Sequence, residues 1–254
     1  MLEGRVALIT GAASGQGRAA ARLFAQHGAL IVVADIDDAG AAHTVEMVEK
    51  AGGTAAAVHA DVSQRADAES MIAFATATFG GLDVLYNNAA VQMSGTLATC
   101  TEEDWDRTIA TNLDAVFWAC RAGIPAMLEG LSPGGSIINT ASVLGLIGSE
   151  GYVAYGAAKA GLVALTRQIA VEYGPEIRAN VIAPGSIDTP RFRKVAEDMD
   201  DGGAFIDGLT RVIPQRRLGT AEDVAGIALF LASEQSAYVS GAIIPADGGL
   251  AALR

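Results

Sequence analysis

Tyr155 and Lys159 stand four residues apart in Tyr-Gly-Ala-Ala-Lys. That spacing puts both side chains on one face of a helix. A free phenol, with a pKa of about 10, is poorly suited to proton exchange at neutral pH. A nearby ammonium favours the phenolate and lowers that value. The pair therefore reads as a proton donor and acceptor with its tuning cation. Ser142, thirteen residues earlier, ends an apolar run and can offer its hydroxyl to an oxygen on which charge develops. Tyr152 is a rival phenol, but it lies seven positions before Lys159, about two turns away. It reads as pocket wall.

A second group lies near the start of the chain. Thr10-Gly11-Ala12-Ala13-Ser14-Gly15-Gln16-Gly17 joins an apolar run to a helical pattern. Glycines 11, 15 and 17 remove Cβ atoms where backbone must approach a pyrophosphate, with Ser14 and Gln16 in the same cradle. The helix that follows aims free N–H groups and a positive dipole end at that phosphate. Asp35 ends the second apolar run, eighteen residues after Gly17. An acid there accepts hydrogen bonds from both ribose hydroxyls of an adenosine and repels a 2′-phosphate. Ile36-Asp37-Asp38 add no cation. The expected cofactor is NAD rather than NADP. Asp61-Val62 closes the third run, with the carboxylate available to an adenine amino group and Val62 presenting its N–H. No metal site is expected: Cys100 and Cys120 lack ligand spacing, and His27, His43 and His59 read as surface or satisfied residues.

These residues need elements to hold them. Strand-like runs cover 5–10, 29–35, 54–60, 84–86, 136–140, 178–182 and 242–245, and Pro133-Gly134-Gly135 reads as a turn. Helical patterns cover 15–28, 39–51, 66–79, 102–129, 152–173 and 221–232. Runs apolar throughout are buried on both faces, and their alternation with helices implies parallel βαβ units. The expectation is a Rossmann-type, doubly wound α/β fold: about seven parallel strands, helices on both faces, three layers, one domain over residues 1–254. Residues 190–214 are the exception. Polar and glycine-containing, they read as an inserted lid or substrate loop. Within it Arg191, Arg193 and Lys194 could meet a substrate carboxylate, although a solvated lid face is preferred.

Bulk properties narrow the partners. The 254 residues are half hydrophobic, with a net charge of −12. That charge disfavours nucleic acid and an anionic membrane surface. There is no unbroken apolar run of about 18 residues, the length a membrane span needs. No signal peptide is expected, and a cytoplasmic location follows.

Thr10-Gly11-x-x-x-Gly15-x-Gly17, Asp61, Asn87-Asn88-Ala89, Asn112, Ser142, Tyr155-x-x-x-Lys159 and Pro184-Gly185 occur in this order. Over essentially its whole length the chain resembles the short-chain dehydrogenase/reductase family. The resemblance implies Tyr155 as acid/base, Ser142 steadying the substrate, and Lys159 binding the nicotinamide ribose while depressing the tyrosine pKa. It implies that Asn112 holds a water through its backbone at a kink in the long helix. Pro184, Gly185, Ile187 and Thr189 would flank the nicotinamide. Asn88 and Ala89 would face the cofactor while Asn87 braces the strands. Ala90 departs from the family's usual glycine and narrows the space there. Gln92, Leu144 and Tyr152 would line the pocket with Ser142 and Tyr155, as would Val91, Met93, Leu146, Ser149 and Ile187. That mostly apolar lining suits a hydrophobic or alicyclic secondary alcohol or ketone. A homodimer or homotetramer is implied, with Ala154, Ala157, Ala158 and Gly161 permitting close helix contact. Two alternatives stay open: an NADPH-dependent 3-oxoacyl-type ketoreductase, and an NAD-sensing protein without turnover.

Overall fold

All five residues of the first strand, β1 (Val6–Thr10), are buried, as a strand covered on both faces requires. The computed structural model describes residues 1–130 and 134–253. In chain order β1 is followed by α1 (Gly15–Gln26), β2 (Leu30–Asp35), α2 (Asp38–Lys50), β3 (Thr54–His59), α3 (Arg65–Phe79) and β4 (Val84–Asn87). Next come α4 (Glu102–Ile109), α5 (Ala115–Glu129), β5 (Gly135–Thr140), α6 (Val153–Glu172), β6 (Ile177–Pro184) and β7 (Ile187–Asp188). The chain closes with α7 (Pro190–Glu197), α8 (Gly202–Val212), β8 (Gly219–Thr220), α9 (Ala221–Ala232) and β9 (Ile243–Ala246).

Seven strands form one sheet in the order β3-β2-β1-β4-β5-β6-β9, and every pairing is parallel. Successive side chains point to opposite faces, so β1 feeds two cores. Ile9 packs with Phe24 of α1 and Val224 and Leu229 of α9. Leu8 packs with Met71 of α3, Ile124 of α5 and Leu162 of α6. This is a Rossmann-like three-layer α/β/α arrangement. The winding reverses between β1 and β4, which opens a crevice at the carboxyl ends of these strands. A buried polar strut crosses the second half: Asn87 Nδ2 donates to Asn139 Oδ1 (2.8 Å), and Asn139 Nδ2 donates to Thr166 Oγ1 (2.9 Å).

Three expectations change. Residues 190–214 are largely helical, forming α7 and α8 rather than a loop. Thr189 caps α7 by accepting from the Phe192 N–H, Pro190 opens it, and Asp201 caps α8. Phe192 stacks on Phe205 at 5.9 Å and ties the two helices together. Gly202 and Gly203 sit in the first turn of α8. The long helix expected over 102–129 is split by a π-helical turn, Ala110–Asp114. Ala154 and Ala158, expected on an intersubunit face, are buried within the chain. A Cβ on Gly161 would meet Leu113 Cδ2 at 3.1 Å. These small residues let α6 lie close to its own neighbours. Pro133, part of the expected turn, lies outside the described residues. Among the described residues no helix is long and apolar enough to cross a membrane.

Candidate active site

Tyr155 and Lys159 lie one turn apart on α6, with Lys159 Nζ 5.6 Å from the centre of the phenol ring. Lys159 is buried, and its Nζ donates to the Thr140 carbonyl at the end of β5 (2.8 Å). Ser142 is buried two residues beyond that strand, where its hydroxyl accepts from the Leu144 N–H (3.1 Å). Asn112 is fully buried in the π turn. Its Nδ2 donates to the carbonyls of Val91 (2.9 Å) and Thr108 (2.8 Å), while its Oδ1 has no partner among the described residues. The wide turn shifts the backbone out of the i→i−4 ladder at this point, as such bulges often do at functional sites.

The electrostatics differ from the simple reading of a lysine acidifying a tyrosine. Burial raises the Tyr155 pKa above its usual value, opposed by the charge of Arg191 and by hydrogen bonding with Ser142. Burial, reinforced by Arg191, pushes the Lys159 ammonium down to about 7. A dehydrated ammonium with only a carbonyl as partner is poorly stabilised. Near neutrality it loses much of the field expected to act on the phenol.

This burial has a consequence for stability. Between pH 7 and 10.5 the unfolded chain holds a proton on Lys159 that the folded chain sheds, so stability rises with pH across that window. The ligand-free protein should gain on the order of 2 kcal/mol between about pH 7 and about pH 10 relative to a Lys159→Met variant. Urea unfolding of both proteins at the two pH values measures it. Parallel pH dependence in the two would show that the ammonium is well stabilised in the fold.

The glycine turn lies at the head of the same crevice. A Cβ on Gly17 would fall 2.3 Å from the Gly11 carbonyl oxygen, and one on Gly11 would fall 2.8 Å from Ala89 Cα. Gly11 and Gly15 also hold positive φ values of 66° and 52°. Asn88 clamps the turn: its Nδ2 donates to the Thr10 carbonyl (3.0 Å) and more weakly to that of Gly11 (3.3 Å). The N–H groups of Asn88 and Ala89 donate to Thr10 Oγ1. Asp35 accepts from the Ala13 N–H (2.8 Å) and the Asp37 N–H (3.0 Å). Each carboxylate oxygen keeps further acceptor capacity. Ile36 is exposed beside it and Val62 is buried. Asp61 Oδ1 accepts from the N–H and hydroxyl of Ser63. The buried Gln16 Oε1 has no partner among the described residues. A cradle bare of Cβ atoms, an acid at its rim and an orphaned polar atom together fit a dinucleotide.

On the opposite wall, the Gly185 N–H donates to the Ala246 carbonyl (3.0 Å) beyond Pro184. Ile187 is buried in β7. The Thr189 hydroxyl is engaged as helix cap, and its Cγ2 would lie 3.4 Å from a Cβ on Gly15. Gln92 is exposed, while Leu144 and Tyr152 are half-buried. Of two arginines near the site, the sequence does not single out Arg18 and favours a solvated lid face for Arg191. Arg18 hydrogen-bonds Thr44 Oγ1 (2.9 Å) and the carbonyls of Ala13 and Gly40. Arg191 reaches the Ala90 carbonyl (2.7 Å). Their partners lie 22 to 101 residues away in sequence, apart from Ala13, so only the fold reveals them.

A glycine cradle at the first βα turn, with a Ser-Tyr-Lys set just past β5 and on α6, defines a nucleotide-dependent oxidoreductase. The family model described as enoyl-(acyl carrier protein) reductase matches residues 11–251. The 3-oxoacyl-[acyl-carrier-protein] reductase FabG of Thermotoga maritima is 40% identical over 250 residues, spanning 98% of each chain. Cyclohexanol dehydrogenase of Acinetobacter sp. (strain SE19) is 38% identical, covering 96% of this chain and 94% of its own. The crystal structure of levodione reductase superposes with a TM-score of 0.95 at 33% identity, over 100% of both chains. The chain belongs to the short-chain dehydrogenase/reductase family, whose members use NAD or NADP.

Proposed function

We propose that the protein is an NAD-dependent dehydrogenase that oxidises a hydrophobic or alicyclic secondary alcohol, or reduces the corresponding ketone. One observation carries this reading: the Tyr155 phenol stands beside buried Lys159, with the Ser142 hydroxyl close enough to lower the phenol pKa. Bound NAD would supply the hydride acceptor and a positively charged ring. Tyr155 Oη takes the proton of the substrate hydroxyl in oxidation and returns it in reduction. The Ser142 hydroxyl donates to the reacting oxygen. Lys159 holds the nicotinamide ribose. Asn112, anchored through Nδ2, keeps the backbone of the π turn placed to hold a relay water. The rims from Asn88 to Gln92 and from Pro184 to Thr189 enclose the nicotinamide, and α7 with α8 cover it as a lid. Asp35 selects NAD by refusing a 2′-phosphate.

The name cyclohexanol dehydrogenase supports a ring substrate. The reading takes the enzyme as a cytoplasmic homodimer or homotetramer, consistent with exposed Phe117 on α5 and Val171 on α6. Cyclic and acyclic secondary alcohols offered with NAD, followed by NADH absorbance, test it. Turnover strongest on cyclic alcohols is expected. Tight NAD binding with no turnover on any alcohol would replace the enzyme by a nucleotide sensor. The FabG likeness favours a second reading, a 3-oxoacyl thioester reductase. A clear preference for NADPH and thioesters would establish it instead.

A further inference from the structure

We infer that Arg191 selects the substrate by receiving a carboxylate carried on the ring alcohol or ketone. The inference rests on the dehydrogenase reading above. From the first turn of α7, Arg191 Nη1 reaches across to the Ala90 carbonyl, 2.7 Å away. It thereby spans the opening between the α7–α8 segment and the loop after β4. Ala90 follows Asn88 and Ala89, which are pinned to Thr10, and precedes Val91, whose carbonyl is held by Asn112. The guanidinium thus stands over the catalytic end of the crevice, and its charge is felt by both Tyr155 and Lys159.

Its neighbour behaves differently. Arg193 is neutralised by Asp188 at 2.7 and 2.5 Å. Arg191 makes no ion pair among the described residues, although the chain carries 29 acids against 17 lysines and arginines. An unpaired guanidinium acting on a buried lysine is unfavourable until an anion arrives. A carboxylate would accept two parallel hydrogen bonds from the fork, displace the Ala90 carbonyl and offset the charge acting on Lys159. Half-buried Val91, Met93 and Leu144 supply the apolar wall for the ring. The cofactor diphosphate is the other possible source of oxyanions. The glycine turn and the N-terminus of α1 already present donors to it, so the substrate is favoured.

The cis and trans hydroxycyclohexanecarboxylates and their methyl esters are suitable probes. With NAD, wild-type kcat/KM should be higher for an acid than for its ester. In Arg191→Met the acid-to-ester ratio should fall by at least about thirtyfold, with a much smaller change in NAD affinity measured separately. Equal losses on acid and ester, or weaker NAD binding that accounts for the whole effect, would assign the residue to the diphosphate and overturn the inference. Calorimetry on NAD-loaded Tyr155→Phe protein, with and without Arg191→Met, separates this from failure of the dehydrogenase reading. A preference for acid that disappears with Arg191 upholds the inference even without turnover. Equal binding of acid and ester, or none, defeats it even if neutral alcohols are oxidised.

Discussion

Replacing Tyr155 by Phe should lower kcat by at least about a thousandfold, roughly 4 kcal/mol of barrier, while NAD still binds. The substitution keeps the ring beside Lys159 and removes only the hydroxyl proposed to exchange the proton. Retained NAD affinity, read by NADH fluorescence, separates lost chemistry from lost folding. Burial raises the phenol pKa in the free protein, and Arg191 and Ser142 oppose it only in part. Oxidation requires the deprotonated form, so kcat/KM for alcohol oxidation at saturating NAD should climb with pH as the phenol of the NAD-bound enzyme loses its proton. Wild-type turnover in Tyr155→Phe would remove the phenol from the mechanism.

Asp35→Asn should shift the ratio of kcat/KM values toward NADP by on the order of a hundredfold, about 3 kcal/mol, as expected for removing one charge at contact distance in a half-wet site. The amide retains the size of the carboxylate. Its single oxygen cannot serve both the Ala13 and the Asp37 N–H groups, which donate to different carboxylate oxygens. Some affinity for NAD should therefore be lost as well, and the ratio is the quantity to read. Initial rates with both coenzymes measure it. An unchanged ratio would mean that Asp35 serves the turn and not the ribose. In that case Arg18, hydrogen-bonded to Ala13 and Gly40, becomes the group to examine for a 2′-phosphate.

Elements set by local periodicity were legible before any coordinates. The apolar runs ending at Thr10, Asp35 and Thr140 are strands buried from both sides, and the four-residue spacing from Tyr155 to Lys159 survives because a helix imposes it. The helices α7 and α8 were not legible. Polarity and the glycine pair suggested a loop, whereas caps at Thr189 and Asp201 and the Phe192–Phe205 stack decide otherwise. That stack depends on a contact between residues thirteen apart on separate elements, which no periodicity encodes.

Residue type and short spacing pick out the candidate groups for the chemistry, because they set what can donate, accept or approach closely. Their surroundings, and the direction in which burial moves their pKa values, follow from the tertiary packing. Desolvation is a property of everything packed around a group, so the lowered pKa of Lys159 follows from its burial on α6 against the end of β5. The placing of Arg191 beside the loop after β4 likewise follows from a contact spanning 101 residues.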